Sequence, residues 1–182
     1  MTLWNVFCFA VGLSFLFNHP REHREWKRDS VRRVDVLDGS FLLIDRDLWQ
    51  RLGGFDPSFF MYGEDEDLCL RAQRLGARPT FTPAATIVHY GASSEQSELE
   101  KRIKLMAGEI AVINRHWSAV SAFMGRQLFL ITPHPRWTIY GLLGLLTRRS
   151  DLREKAKIWW RVWQARRQWA QGWPNGSSDR LH

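Results

Sequence analysis

Four carboxylates stand in a row, Glu64-Asp65-Glu66-Asp67, directly after the apolar stretch Phe59-Phe60-Met61-Tyr62. Like charges at this spacing repel, so the row needs a structural or a chemical use. The structural use is a helix N-terminus, where free amides and the macrodipole stabilise acidic side chains. Two acids would suffice for that. The chemical use is general-base catalysis: a carboxylate at a loop–helix junction is kept ionised by nearby amides and lies open to a substrate hydroxyl. His89 and Ser93-Ser94 are the other residues with chemical potential. A histidine at a strand end is ordinarily a hydrogen-bonding residue, and serines after a glycine are ordinarily turn residues. Asp56, before Pro57, reads as a turn residue.

A helix has to carry the row. Leu68, Ala72 and Leu75 recur at i, i+4 and i+7, which predicts a helix from Glu64 to Leu75 with Gly76 as its stop. Upstream, Asp47 reads as the cap of a short helix with Gln50 completing the capping pattern, and Gly53-Gly54 ends it. The runs SFLLI (40–44) and TIVHY (86–90) predict buried strands. Residues 95–117 carry helical periodicity through Leu99, Ile103, Met106, Ile110 and Ile113, and two prolines break the later run LFLITPHPRW. Charge-rich residues 19–33 read as an exposed loop. The uncharged stretch from Trp4 to Phe17 predicts a buried or interfacial helix ending before Pro20. It is shorter than the ~20 residues a membrane crossing needs. The basic start and small-residue cleavage site of a signal peptide are not found.

The chain has 182 residues, with 45% hydrophobic and 25% charged side chains, an ordinary globular balance that argues against disorder. Its two cysteines, Cys8 and Cys69, make neither a disulfide framework nor a zinc pattern and fit a reducing compartment. The net charge of +7 points to an anionic partner: a membrane surface, a phosphorylated substrate or nucleic acid.

The ordered set Gly39, Gly53-Gly54-Phe55-Asp56, Phe59-Phe60-Met61-Tyr62, Glu64-Asp65-Glu66-Asp67, Pro83-Ala84, His89, Gly91 and Ser93-Ser94 resembles the C-terminal half of family 2 glycosyltransferases, closest to their rhamnosyltransferase-like branch. The resemblance is carried by residues 36–94 and, more weakly, by the N-terminal LWNVFCFAVGLSFLF. It implies an α/β fold of the glycosyltransferase A type. It also implies that Asp65 is the base that takes a proton from an acceptor hydroxyl as that oxygen attacks the anomeric carbon and configuration inverts. Glu64 and Asp67 match positions that orient the acceptor or brace the loop. Tyr62, with Phe59 and Phe60, would line the acceptor pocket, although such a cluster equally suits a core. His89 matches a histidine that in some relatives joins the divalent metal, magnesium or manganese, that holds the donor diphosphate.

One departure from the family pattern is large. No Asp-x-Asp metal motif precedes the block; Asp45-x-Asp47 follows the strand it should precede, and Asp47 is explained as a cap. No glycine-rich phosphate loop replaces it. The expectation is therefore a glycosyltransferase A-type fold without its N-terminal nucleotide-binding half: residues 1–135 as the C-terminal half of a catalytic domain and 136–182 as a basic, helical tail. The complete enzyme would transfer a hexose or deoxyhexose such as rhamnose from a nucleotide-diphosphate sugar to a glycan or lipid-linked acceptor. That activity belongs to cell-surface polysaccharide synthesis at the cytoplasmic face of the membrane, and the 182 residues alone are expected to be inactive. The competing class is an inactive fragment that serves as a membrane-associated interaction module.

From Arg136 onward ten Lys/Arg stand against three Asp/Glu, and six of the ten tryptophans lie there. Residues 150–173 read as a helix opened by Ser150 and ended near Gly172. Interleaved Trp and Arg suit a membrane interface, and equally a helix packed on the domain by its Trp face. Nucleic-acid binding ranks below both, since no known motif accompanies the charge.

Overall fold

The structure, a computed structural model, describes residues 2–13, 27–89 and 97–173. Its elements in chain order are α1 (Leu3–Ala10), β1 (Arg32–Arg33), a 3₁₀ turn (Gly39–Phe41), α2 (Arg46–Leu52), α3 (Glu64–Arg74), β2 (Thr80–Phe81), α4 (Glu98–His116), α5 (Ala119–Ile131), α6 (Pro133–Leu146), α7 (Ser150–Gln164) and α8 (Arg166–Trp169).

The long helix α4 is the centre of the packing. Ser97 caps it by accepting from the Glu100 amide at 3.2 Å, and Glu98–Arg102 and Glu100–Lys104 pair across one turn. The predicted stripe delivers Met106, Ile110 and Ile113 to the core, with Leu99 and Ile103 packed at its margin. Val6 of α1, Ala122 and Phe129 of α5, Trp159 and Val162 of α7, and Trp169 of α8 complete that core. Helices α5 and α6 meet at Thr132, whose hydroxyl donates to the Leu128 carbonyl, and Pro133 is the first residue of α6. The break therefore falls at the first proline only, and Pro135 is accommodated in the opening turn of α6. Helices α6 and α7 form an antiparallel hairpin in which Gly141 faces Ala156 and Gly144 lies against the Arg153 backbone. Arg136 seals the end of α1: it donates to the Phe9 and Ala10 carbonyls and lies over the Phe9 and Trp159 rings at 4.4 and 5.0 Å. Burial pushes its guanidinium down to about 10.

Several expectations are corrected. Helix α1 ends at Ala10, with Val11 as its C-cap, so the helix does not run unbroken to Phe17; residues 14–26 lie outside the described residues. Arg32 and Arg33, read as loop, form the two-residue strand β1, antiparallel to β2 with Arg32 opposite Phe81. The 40–44 run is not a buried strand. Gly39–Phe41 is a 3₁₀ turn and Leu43 keeps 94% of its surface exposed. Nor does 86–89 form a strand; Val88 is 76% exposed. The reason is common to both. A strand leaves every second backbone group to a neighbour, and among the described residues no third strand flanks these runs. The cap of α2 is Asp45, whose carboxylate accepts from the Leu48 amide at 3.0 Å, and Asp47 sits in the first turn. Residues 150–173 form two helices, not one, and Trp159 and Trp169 face inward; the Trp169 indole donates to the Val162 carbonyl at 2.9 Å.

Candidate active site around the carboxylate row

Helix α3 begins as predicted, at Glu64. The chain enters it through two left-handed residues, Tyr62 (φ 67°) and Gly63 (φ 91°). Glycine serves at 63 because a side chain there would stand 2.9 Å from the Gly108 carbonyl oxygen, and a Cβ on Gly108 would stand 2.4 Å from the Tyr62 oxygen. The loop thus lies directly on the backbone of α4. Trp173 closes it from outside, its ring edge-on to Phe60 at 5.6 Å and its indole donating to the Tyr62 carbonyl at 3.4 Å.

The face of α3 at residues 65, 69 and 73 holds an extended segment in place. Gln73 donates to the Asp35 carbonyl at 2.5 Å, the Leu37 amide donates to the Cys69 sulfur at 3.4 Å, and the Gly39 amide donates to Asp65 Oδ2 at 3.2 Å. Four residues of helix rise about 6 Å and two residues of extended chain about 6.6 Å, so the rungs stay in step. The last rung brings Gly39 to Asp65, whose other oxygen accepts from the Glu66 amide at 2.8 Å. Asp38 begins the 3₁₀ turn and accepts from the Ser40 amide at 2.8 Å; those bonds from Ser40 hold its carboxyl low, with a contribution from the charge of His89. His89, exposed, is thus brought within electrostatic reach of Asp38.

Beside Gly39 opens a cleft of about 410 Å³, lined by Leu42, Ile44, Arg46, Trp49 and Phe55. Trp49 and Phe55 meet edge to face at 5.4 Å, and the indole lies against Gly54, which is left-handed at φ 76°. The cleft has an aromatic wall and one cation, and Asp65 reaches it through Gly39, the lining residue whose amide its carboxylate accepts.

The four acids have four different environments. Glu64 is half-buried; burial raises its carboxyl, as do the charges of Asp65 and Asp38, and its Oε2 is buried without a partner. Glu66 is raised by burial and by Asp65. Asp67 has no exposed surface. Its Oδ2 takes the Arg71 Nε at 2.7 Å, and its Oδ1 takes the Arg115 Nε at 3.1 Å and the His116 Nε2 at 2.8 Å. Burial pushes this carboxyl up, but the bonds from His116 and Arg71 outweigh it and hold it below the usual range. Arg71 continues to the carbonyls of Leu52 and Gly54 at 2.8 and 2.9 Å, and Arg115 to Asp56 at 2.5 Å. Asp67 is thus placed as a brace that ties α3 to α4 and to the Gly53–Asp56 turn, and is covered from any acceptor. Asp56 is the turn residue expected, accepting from the Ser58 amide at 2.8 Å.

The structure brings together Asp65, Glu64, Gly39 and Asp38, with Tyr62 leading into the same turn of helix. Gly91, Ser93 and Ser94 lie outside the described residues. Sequence reasoning missed Asp38, Trp49, the clamp residues Arg71, Arg115 and His116, and Glu109. Glu109 carried a signal: an acid flanked by Met106, Ile110 and Ile113 in the core stripe of α4. Burial pushes its carboxyl up to about 7, reinforced by Glu66 and Asp65. Among the described residues no three His, Cys, Asp or Glu side chains stand together to hold a metal ion. Exposed His89 is a single ligand, so the described residues do not by themselves make a metal centre.

Comparison with known proteins identifies the family. The family described as Glycosyltransferase like family 2 matches residues 17–111, just over half of the chain. Rhamnosyltransferase WbbL of Escherichia coli is 33% identical over 97 residues, 49% of this chain and 37% of that protein. The N-acetylglucosaminyl-diphospho-decaprenol L-rhamnosyltransferase of Mycobacterium tuberculosis is 33% identical over 131 residues, 70% of this chain and 40% of that protein. The O-antigen biosynthesis protein RfbC of Myxococcus xanthus is 28% identical over 79 residues, 43% of this chain and 6% of that protein. The chain spans about two fifths of the length of the two rhamnosyltransferases. No solved structure matches it significantly. The chain belongs to the family 2 glycosyltransferases, in their rhamnosyltransferase-like branch.

Proposed function

We propose that this chain is the acceptor-side half of an inverting glycosyltransferase in which Asp65 is the general base. The acceptor hydroxyl gives its proton to the Asp65 carboxylate as the hydroxyl oxygen bonds to the anomeric carbon. The bond from that carbon to the nucleoside diphosphate breaks on the opposite face, so configuration inverts. The observation that supports this reading best is the placement of Asp65 in the first turn of α3, its carboxylate fixed by the Glu66 amide and by the amide of Gly39, a residue that lines the Trp49–Phe55 cleft. Fixed amides cost no reorganisation during proton transfer, and an aromatic wall suits the apolar face of a sugar ring. Asp67 braces the site through Arg71, Arg115 and His116, while Glu64 and Tyr62 border the acceptor.

The donor is a nucleotide-diphosphate hexose or deoxyhexose, with rhamnose suggested by the relatives' names. The acceptor is a glycan or lipid-linked sugar, in keeping with the decaprenol-diphosphate acceptor in the name of the mycobacterial relative. A nucleotide-binding half N-terminal to the matched region would hold the donor diphosphate with magnesium or manganese, and His89 would supply one metal ligand, the metal stabilising the leaving diphosphate. The enzyme works at the cytoplasmic face of the membrane in cell-surface polysaccharide synthesis, and residues 136–182 form its helical tail.

The test is transfer of labelled rhamnose from its nucleotide diphosphate to a lipid-linked N-acetylglucosamine by the complete enzyme, with the anomeric configuration of the product read by NMR. An inverted product is expected. A retained configuration, or no transfer from any nucleotide sugar, contradicts the proposal.

A further inference from the structure

The helical layer leaves apolar faces uncovered. On α6, Ile139, Leu142 and Leu146 recur at helical spacing and are all exposed; Leu145 and Leu146 keep 68% and 80% of their surface. Helix α6 ends in the turn to α7, so Leu145 and Leu146 stand at the tip of the hairpin, followed after Thr147 by Arg148 and by Arg149, which pairs with Asp151 at 2.7 Å. The preceding helix α5 also exposes Phe123 and Met124. An aliphatic surface of this kind marks a contact site.

Charge decides what the contact is. From Ala119 to Trp173 ten Lys/Arg stand against two Asp/Glu, so this layer carries more than the whole net charge of +7. A second copy seated on the same face would bring two strongly cationic layers together. A surface of anionic lipid satisfies both features at once: acyl chains take the leucines and headgroups take the cations. The tryptophans that first suggested a membrane contact are largely spent inside the fold. Trp159 and Trp169 are buried, Trp137 stacks on Trp160 at 4.6 Å, and Trp163 meets His134 at 4.2 Å. None of the described helices is long and apolar enough to cross a membrane, and the contact is interfacial.

We infer that the tip of the α6–α7 hairpin seats this protein on the surface of a bilayer rich in anionic lipid. The surface is distinct from the Asp65 site, and its readout is binding alone. Failure here leaves the transfer reading untouched, and failed transfer leaves this one untouched.

The experiment is co-sedimentation of the 182-residue chain with vesicles of phosphatidylcholine, alone or mixed with phosphatidylglycerol, at low and high salt. Binding to the mixed vesicles only, weakening with salt, is expected. Leu142→Glu/Leu146→Glu and, separately, Arg148→Glu/Arg149→Glu should each weaken it by about 10-fold or more. Circular dichroism checks that each variant folds. Should the double leucine variant fail to fold, Leu146→Ser, at the most exposed position of the tip, should still weaken binding several-fold. Binding that ignores lipid charge, no binding, or leucine variants that bind like wild type would overturn the inference. So would light scattering that shows a dimer dissociated by the leucine variants in a chain that ignores vesicles, since the face would then join two copies.

Discussion

Two regions of this molecule start from similarly apolar sequence and end differently. In the helical layer Ile110, Ile113, Val162 and Trp169 have no exposed surface left. In the segment between residues 36 and 89, Leu43 and Val88 stand in solvent. A helix satisfies its backbone within itself and needs neighbours only for its apolar stripe. A strand needs a partner for its backbone before its side chains can be buried. The contrast teaches that α1 and α4 to α8 bury one shared core, whereas the runs at 40–44 and 86–89 have no partner strand among the described residues. The site sits on the seam: α3 leans on α4 through Asp67, and the loose segment is laced along α3 by Gln73, Cys69 and Asp65.

The sharpest way to break that comparison is hydrogen exchange. Amides in the middle of α4 should exchange ~10³-fold or more slowly than those of 40–44 and 86–89, because core elements open only with global unfolding and unpaired segments open at almost no cost. Equal protection would show that the two regions are one cooperative unit. Next in size is the seam itself. Asp67→Ala leaves Arg71, His116 and Arg115 facing a buried void of charge. It should destabilise the chain by about 3–5 kcal/mol in denaturant titration, the scale for breaking a buried ion pair from one side. A loss under 1 kcal/mol would remove Asp67 as the brace.

Glu109 gives a smaller, pH-dependent effect. Its folded carboxyl titrates at about 7 against an ordinary value of 4.5, so between these values the folded state holds a proton that the unfolded state has released. Stability should therefore fall as pH rises from 4.5 to 7, by about 3 kcal/mol from this group, and level off above. Glu109→Gln should flatten that slope and be the more stable protein at neutral pH. An unchanged slope would contradict the assignment. The smallest effect separates two neighbouring acids in α2. Asp45→Ala should cost about 1 kcal/mol, the usual value of an N-cap, and Asp47→Ala only a few tenths. The reverse order would restore the cap expected from sequence.

What was legible in the sequence follows the same divide. Helices α3 and α4 could be read because their apolar stripes are local, and Gly76 marks the stop of α3. The carboxylate row was legible as a helix start but not as four separate environments. Nothing near Asp67 says that Arg115 and His116, a whole helix later, will surround it, and only the fold brings the end of α4 there. Trp49 was invisible as a cleft residue because its role depends on Gly54 and Phe55 folding back against it. The strands were misread because periodicity reports which residues prefer burial and is silent on whether a partner strand is present. The tryptophans of α7 and α8 were ambiguous for a related reason: a Trp/Arg face serves a core and a membrane equally, and three-dimensional packing chooses.

The central claim is that Asp65 does chemistry while Asp67, two residues on, holds the structure. It is tested most directly by turnover of Asp65→Asn in the complete enzyme, with its thermal midpoint measured alongside. The account predicts an unchanged midpoint, unchanged donor binding and turnover lowered by about 100-fold or more, the scale of losing a general base. Turnover within a few-fold of wild type, or a midpoint that collapses as it should for Asp67→Ala, would contradict it.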